Sequence, residues 1–321
     1  MRIEKEVNEE KAQGMRLDKY ISEITELCTR SQLKSRAVAI HVNGEEAKLS
    51  KRLQLGDTLM LHYNTPEPPM LEPKDIPLSV VYETEEVVFI DKPQGMVVHP
   101  AKGNYENTMV QALLFRYQNL EHAFPANFER PGIVHRLDKD TSGIIAVAKN
   151  VRAHQFLADQ FKRKRVHKVY LAIIKGRLGE SSGRIDTYIV RDPRNRKRFI
   201  AQDRSGDEKE QPSAIKTSGK RAITEFKVLK QWENFSLVKL VPKTGRTHQL
   251  RVHMKHLGTP ILGDPIYGRK NTVYKNITLM LHAWKITITL PENKERTRVY
   301  APLHQHFKSV LLKITKEAHK N

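Results

Sequence analysis

A single cysteine, Cys28, occurs among 321 residues, which excludes an internal disulfide framework and a cysteine-based zinc site and fits a reducing compartment. No apolar run approaches the roughly 20 residues needed to span a bilayer, and the opening MRIEKEVNEEKAQG holds no apolar segment of the signal-peptide kind. A cytoplasmic protein without a membrane partner is expected. The chain also lacks a P-loop and a glycine-rich dinucleotide fingerprint, so no nucleotide cofactor is implied. His135, His248, His253 and His256 have no acidic or cysteine residues beside them at a metal-ligand spacing, and no metal is expected. Acidic residues are in deficit, 36 Asp plus Glu against 56 Lys plus Arg, a formal charge of +20. A surplus of that size points to a polyanionic partner; charge alone leaves a plain basic protein or an acidic membrane surface as alternatives.

The length suits one large domain with a small one before it. Residues 1–14 are polar and without periodicity and are expected to form a tail. Leu17, Tyr20, Ile21 and Ile24 follow the spacing of one helix face; Leu33, Ala37 and Ile40 repeat it after a cap at Ser31, predicting two short helices. Asn43-Gly44 marks a turn, and residues 53–61 read as strand, turn, strand. The first domain is thus placed at 15–64. Four prolines between Thr65 and Pro73 predict an extended linker over 65–77. The second domain, 78–312, opens with strands at 78–82 and 87–91 and a helix capped by Thr108. Further strands are expected at 169–174, 222–229, 235–241 and within 279–290, and helices at 151–161 and 247–257 with a stop at Gly258. Residues 313–321 read as a basic tail, and the polar stretch at about 200–218 as a mobile loop of unassigned role.

The chemistry is expected in His135-Arg-Leu-Asp-Lys-Asp-Thr-Ser-Gly143, which precedes the buried-strand run Gly143–Ala148. An Asp at that position sits at the edge of the core beside a cation and a proton carrier; a polar turn capping a strand would use the same residues. Two cationic clusters accompany it. Five basic residues lie between Lys162 and Lys168 with no acid, and five more with one acid lie in Arg191–Arg198. Both suit phosphate contacts, although cations at a helix C-terminus also answer its dipole.

HRLDKDTSG resembles the signature of the RluA family of pseudouridine synthases, which isomerise uridine in RNA. Asp91-Lys-Pro-Gln-Gly95, His167-Lys-Val-Tyr-Leu-Ala172, Lys243-Thr-Gly-Arg-Thr-His-Gln-Leu-Arg251 and Leu281-His-Ala283 follow in the family's order, covering about 80–305. RLDKYI, TRSQLKSR, VNG and LQLGDTL likewise resemble the alpha-L RNA-binding domain that often precedes the catalytic domain in this family. The resemblance implies an α+β protein: a mixed, largely antiparallel sheet with flanking helices, the active cleft across its middle, and the small basic domain in front. It implies Asp138 as nucleophile, Tyr170 as the aromatic acid/base against the uracil, and Arg246 as the bidentate partner of Asp138. Arg136 would enter the gap left by a flipped base. Arg16, Arg30, Lys34 and Arg36 in the first domain, and Lys162, Arg163, Lys164, Arg165, Arg196 and Arg198 in the second, would contact RNA phosphates. The expected partner is RNA and not DNA, with large-subunit ribosomal RNA preferred over transfer RNA, and the expected state is a monomer without cofactor. A catalytically silent RNA-binding or ribosome-assembly protein is the rival reading, against which the set Asp138, Tyr170 and Arg246 speaks. A hydrolase releasing free uracil is another, separable by whether the product keeps its base.

Overall fold

The computed structural model describes the chain except for residues 1, 24–32, 34–36, 64–70, 102, 125–129, 196, 204–218, 269–273, 275–276 and 320–321. Two compact units divide it, Met1–Met70 and Leu71–Asn321. Cys28, Arg30, Lys34, Arg36 and Arg196 lie outside the described residues. Among the described residues no helix is long and apolar enough to cross a membrane.

The first unit is a four-stranded antiparallel sheet in the order β1 (Arg2–Glu6), β4 (Thr58–Tyr63), β2 (Ala37–Val42), β3 (Glu45–Glu46), with a 3-10 turn at Glu10–Ala12 and the helix α1 (Leu17–Glu23). Leu17, Tyr20 and Ile21 turn into its core with Leu33, Ile40, Val42, Leu53, Leu59 and Leu61. The expected tail at 1–14 is instead structured: β1 pairs with β4, and Val7 and Ala12 are fully buried. Its single apolar strand residue, Ile3, hid a strand whose stability comes from pairing. The second helix is also corrected in part. Leu33 is helical, but Ala37 and Ile40 lie in β2, where alternating Ala-Val-Ala-Ile-His-Val suits a half-buried strand. Asn43 and Gly44 take φ of 56° and 82°, the left-handed pair that an Asn-Gly hairpin turn requires.

The second unit carries a ten-stranded sheet. Its path is β10 (Phe199–Asp203), β9 (Ser182–Arg191), β11 (Lys220–Gln231), β12 (Phe235–Pro242), β8 (His167–Lys175), β13 (Leu281–Thr289), β7 (Ser142–Ala148), β6 (Val87–Lys92), β5 (Ser79–Glu83), with β14 (Arg296–Tyr300) on β13. Among the described pairs only β13 and β7 run parallel, so the sheet is mixed and largely antiparallel, as expected. Every residue of β6 and β7 is buried, as the apolar runs Val87–Ile90 and Ile144–Ala148 require, and Asp91, Lys92 and Ser142 are buried with them. Helices α2 (Met109–Arg116), α3 (Leu120–Ala123), α4 (Val151–Lys162), α5 (Gln249–His256) and α6 (Gln305–Ala318) complete the α+β unit. A reciprocal Thr108–Gln111 box starts α2, and the Asn150 side chain caps α4.

Three expected boundaries move. The second half of the expected linker is docked: Leu71 is buried in the large core, and the Lys74 N–H donates to the Gln111 carbonyl at 3.1 Å. The polar stretch after Phe199 begins as strand β10, and 204–218 lie outside the described residues. The expected basic tail from 313 is mostly the end of α6, whose Phe307, Val310 and Ile314 face the core at i, i+3 and i+7.

Candidate active site

Three neighbouring strands bring the site together. Ala283 of β13 stands opposite both Gly143 of β7 and Tyr170 of β8. Gly143 has φ 110°, and a Cβ there would meet the Ala283 carbonyl oxygen at 2.3 Å, so glycine is required where the parallel strands close up. Beside Tyr170, this row offers only a glycine and an alanine. A cavity of about 150 Å³ opens there, lined by Arg136, Asp138, Lys168, Tyr170, His248 and Arg251 among others.

Asp138 sits in the loop before β7, in a turn closed by the Thr141 N–H on the Asp138 carbonyl at 3.1 Å. Lys92, fully buried at the end of β6, ties this loop to its neighbour. Its ammonium donates to the carbonyls of Pro93, Met96 and Lys139 at 2.8, 2.9 and 3.1 Å. Burial lowers its pKa to about 8, with Asp138, Asp140 and Asp91 opposing the shift. The KPQG turn thus supports the Asp138 loop through its lysine. On the other side the His135 ring stacks on Phe161 at 4.5 Å and accepts the Ala146 N–H at 2.9 Å. Burial, aided by Lys168, pushes that imidazole down to about 3, so it is a neutral acceptor near pH 7.

The cation at Asp138 is Arg251, and this corrects the expectation for Arg246. Arg251 Nη1 lies 3.4 Å from Asp138 Oδ2, while its Nε and Nη2 form a bidentate pair with Asp264, both bonds 2.8 Å. Asp264 also accepts the backbone N–H groups of Ile266 and Tyr267. Burial opposes the Asp264 charge, but Arg251 and those two N–H groups outweigh it and lower its pKa; Asp264 and Asp138 likewise raise that of Arg251 against its burial. The guanidinium fork is therefore occupied by Asp264, which aims the remaining nitrogen at Asp138. At 3.4 Å that contact attracts Asp138 without occupying it as a short charge-assisted bond would. Arg246 lines the same cavity but donates Nε to the Arg221 carbonyl at 3.0 Å. Two arginines of one motif part because Arg246 precedes α5 and Arg251 is inside it.

His248 stands at the head of α5 in the left-handed region, φ 54°. Its Nδ1 is 2.9 Å from the Tyr267 hydroxyl, which accepts the Phe199 N–H at 3.0 Å. The other ring nitrogen, Nε2, lies 3.9 Å from Asp138 Oδ2. Burial lowers the His248 pKa, with Asp138 opposing and Arg251 assisting. Tyr170 is 9 % exposed, and burial together with the Asp138 charge raises its pKa, so it is a neutral phenol at physiological pH.

The cations assigned to RNA divide. Arg136 is exposed at the mouth of the cavity, and Lys162, Lys164 and Arg165 are exposed along an adjoining groove. Arg163 is paired with Asp159 at 2.7 Å, and Arg16 with Asp18 through two 3.1 Å bonds. Arg198 lies over the Tyr267 ring, 5.8 Å from its centroid. Asp264, Tyr267, Lys92 and Arg251 were not assigned to the site from sequence, Lys168 was read only as part of a phosphate-contacting cluster, and His248 was weighed there only as a metal ligand.

The model of the family described as RNA pseudouridylate synthase matches residues 86–256. A ribosomal large subunit pseudouridine synthase D of Borreliella burgdorferi is 43% identical over 88% of this chain and 85% of its own. One of the same name from Xanthomonas campestris pv. campestris is 35% identical over 94% and 89%. The solved structure of human RNA pseudouridylate synthase domain containing 4 superposes with a TM-score of 0.59 at 25% identity, over 74% of this chain and 93% of that one. With the family's motifs gathered around one cavity and relatives matched along most of its length, the chain belongs to the RluA family of RNA pseudouridine synthases, isomerases that convert uridine to pseudouridine.

Proposed function

We propose that the protein isomerises uridine in large-subunit ribosomal RNA, with Asp138 as nucleophile and Tyr170 against the base. One observation carries the reading: Asp138 stands at the cavity wall with Arg251 held toward it by Asp264, and Tyr170 is nearby in the same cavity. The reaction breaks the C1′–N1 bond, forms C1′–C5, and moves one proton from C5 to N1, so atoms balance without a cofactor. The carboxylate attacks the nucleotide, at the sugar or on the base, and lets the base detach and turn. The Arg251 charge offsets the negative charge that builds on the departing base and its carboxylate partner. As a neutral phenol, Tyr170 supplies a flat wall and a hydrogen bond, and takes the C5 proton only as it hands on its own. The ribosomal target is supported by the names of the relatives in Borreliella burgdorferi and Xanthomonas campestris. The first unit is read as an RNA-docking domain of the alpha-L type, on the motifs it carries.

The test is to map pseudouridines in cells with and without the gene. Loss of one or a few pseudouridines from large-subunit ribosomal RNA is expected. Loss confined to transfer RNA would overturn the target, and free uracil from a purified reaction would overturn the isomerisation.

A further inference from the structure

The catalytic sheet has a second face. Lys168 and Tyr170, with Leu281 of β13, look into the cavity, and by strand alternation His167 and Val169 look the other way, opposite Thr287 and Lys285 of β13. Lys285 and Thr287 stand in turn opposite Tyr300 and Arg298 of β14. His167, Lys285, Arg296 and Arg298 with Thr287 line a groove of about 430 Å³ on that side.

The groove is continuous with the active cavity. It shares His167 and Arg296 with a larger groove that contains Lys162, Lys164 and Arg165, and that one shares Arg136, Lys168 and Arg246 with the cavity. Among the described residues lining the three, Asp138 is the sole acid. Arg296 and Arg298 are exposed, and among the described residues neither is paired with a carboxylate. Lys285 lies 5.7 Å from the centroids of both Trp284 and Tyr300, and Tyr300 is 44% exposed. Burial first, then the charges of Lys243, Lys285 and Arg296, lower the pKa of His167, so the positive field is felt inside the groove.

We propose that the β13–β14 face is a second RNA subsite. It takes the sugar-phosphate backbone of the strand flanking the target uridine, which leaves the cavity past Lys168 and Arg165, rounds the start of β8, and meets Lys285, Arg296 and Arg298. Tyr300 offers a ring on which an unpaired base stacks. The inference rests on the RNA reading of the active cavity and adds a footprint that the catalytic motifs do not contain.

The experiment uses the full chain, a long transcript of large-subunit ribosomal RNA, and a short oligouridylate that reaches only the cavity. Affinity is read by filter binding over a salt series, and chemistry by single-turnover pseudouridine formation. Arg296→Ala/Arg298→Ala should weaken the transcript by about tenfold or more and leave its saturating rate and the oligouridylate affinity unchanged. The log–log salt slope should become shallower by about 1.4, at roughly 0.7 per phosphate lost on a single strand. Arg296→Lys/Arg298→Lys should restore most of the affinity, because phosphate contact needs charge more than shape. Unchanged affinity and slope in the alanine variant would overturn the subsite. So would equal loss in both variants, or a lowered saturating rate, which would mark the arginines as structural. A wild-type protein that neither binds the transcript nor forms pseudouridine in it would remove the RNA reading itself, a result the variants cannot mimic.

Discussion

The cavity and the groove that leads from it are both cationic, yet their cations are held in opposite ways. In the cavity, Arg251 is 3% exposed at its side chain and clamped by Asp264, and behind the Asp138 loop Lys92 is buried with three carbonyl acceptors. Along the groove, Lys162, Lys164, Arg165, Arg296 and Arg298 stand in solvent. Burial with partners fixes a guanidinium to within the error a reacting centre allows; exposure leaves a cation mobile and ready to exchange water for phosphate. On the proposed function, one residue type would therefore position chemistry in one place and collect substrate in the other.

The largest effect that would break this contrast concerns stability. Arg251→Met leaves the fully buried Asp264 carboxylate without its counter-charge and should destabilise the protein by about 3–5 kcal/mol in urea unfolding. Arg296→Ala, at an exposed position, should change it by less than about 0.5 kcal/mol. Similar losses for the two would mean that the cavity cation is no more embedded than the groove cation.

Chemistry sharpens the comparison within one motif. Arg251→Lys keeps the charge but not the fork that binds Asp264 and reaches Asp138, and its saturating single-turnover rate should fall by roughly 10²–10³. Arg246→Lys should lose less than about tenfold, or about 1.4 kcal/mol. The reverse order would restore Arg246 as the partner of Asp138.

A smaller effect separates buried from exposed histidines. His253, fully buried between Thr224 and Thr187, has its pKa lowered from 6.5 to about 4, chiefly by burial. The unfolded chain therefore binds this proton first. The stability contributed is complete above pH 6.5 and falls as pH drops toward 4, by at most ~1.4 kcal/mol per pH unit for this ring. Urea midpoints between pH 7 and pH 5 should fall less steeply for His253→Gln than for the wild type. Parallel curves would show that the ring takes up its proton in the fold.

Much of this was legible in the sequence, for reasons that differ by residue. Thr108 and Gly258 punctuate helices through local chemistry, and the run into Ala148 announces a buried strand by its lack of charge. Motifs singled out Asp138 and Tyr170, and both line the cavity. Asp264 and Tyr267 were not, because their partners Arg251 and His248 are distant in the chain and no local pattern marks an acceptor that the fold brings near. Choosing between Arg246 and Arg251 needed the start of α5 and the left-handed turn at His248. The α6 face was readable from its spacing, and its charged surroundings masked it. Strand β1 depends on pairing with β4, 52 or more residues away, which periodicity does not report.

The central claim is that one carboxylate performs the chemistry while the surrounding cations hold it and collect RNA. Asp138→Asn, which keeps shape and removes the nucleophilic charge, tests it most directly when binding and single-turnover rate are measured on the same ribosomal transcript. The account predicts RNA affinity close to wild type with pseudouridine formation reduced to background. A variant that still converts uridine at the wild-type rate would contradict it, and the nucleophile would have to be sought elsewhere in the cavity.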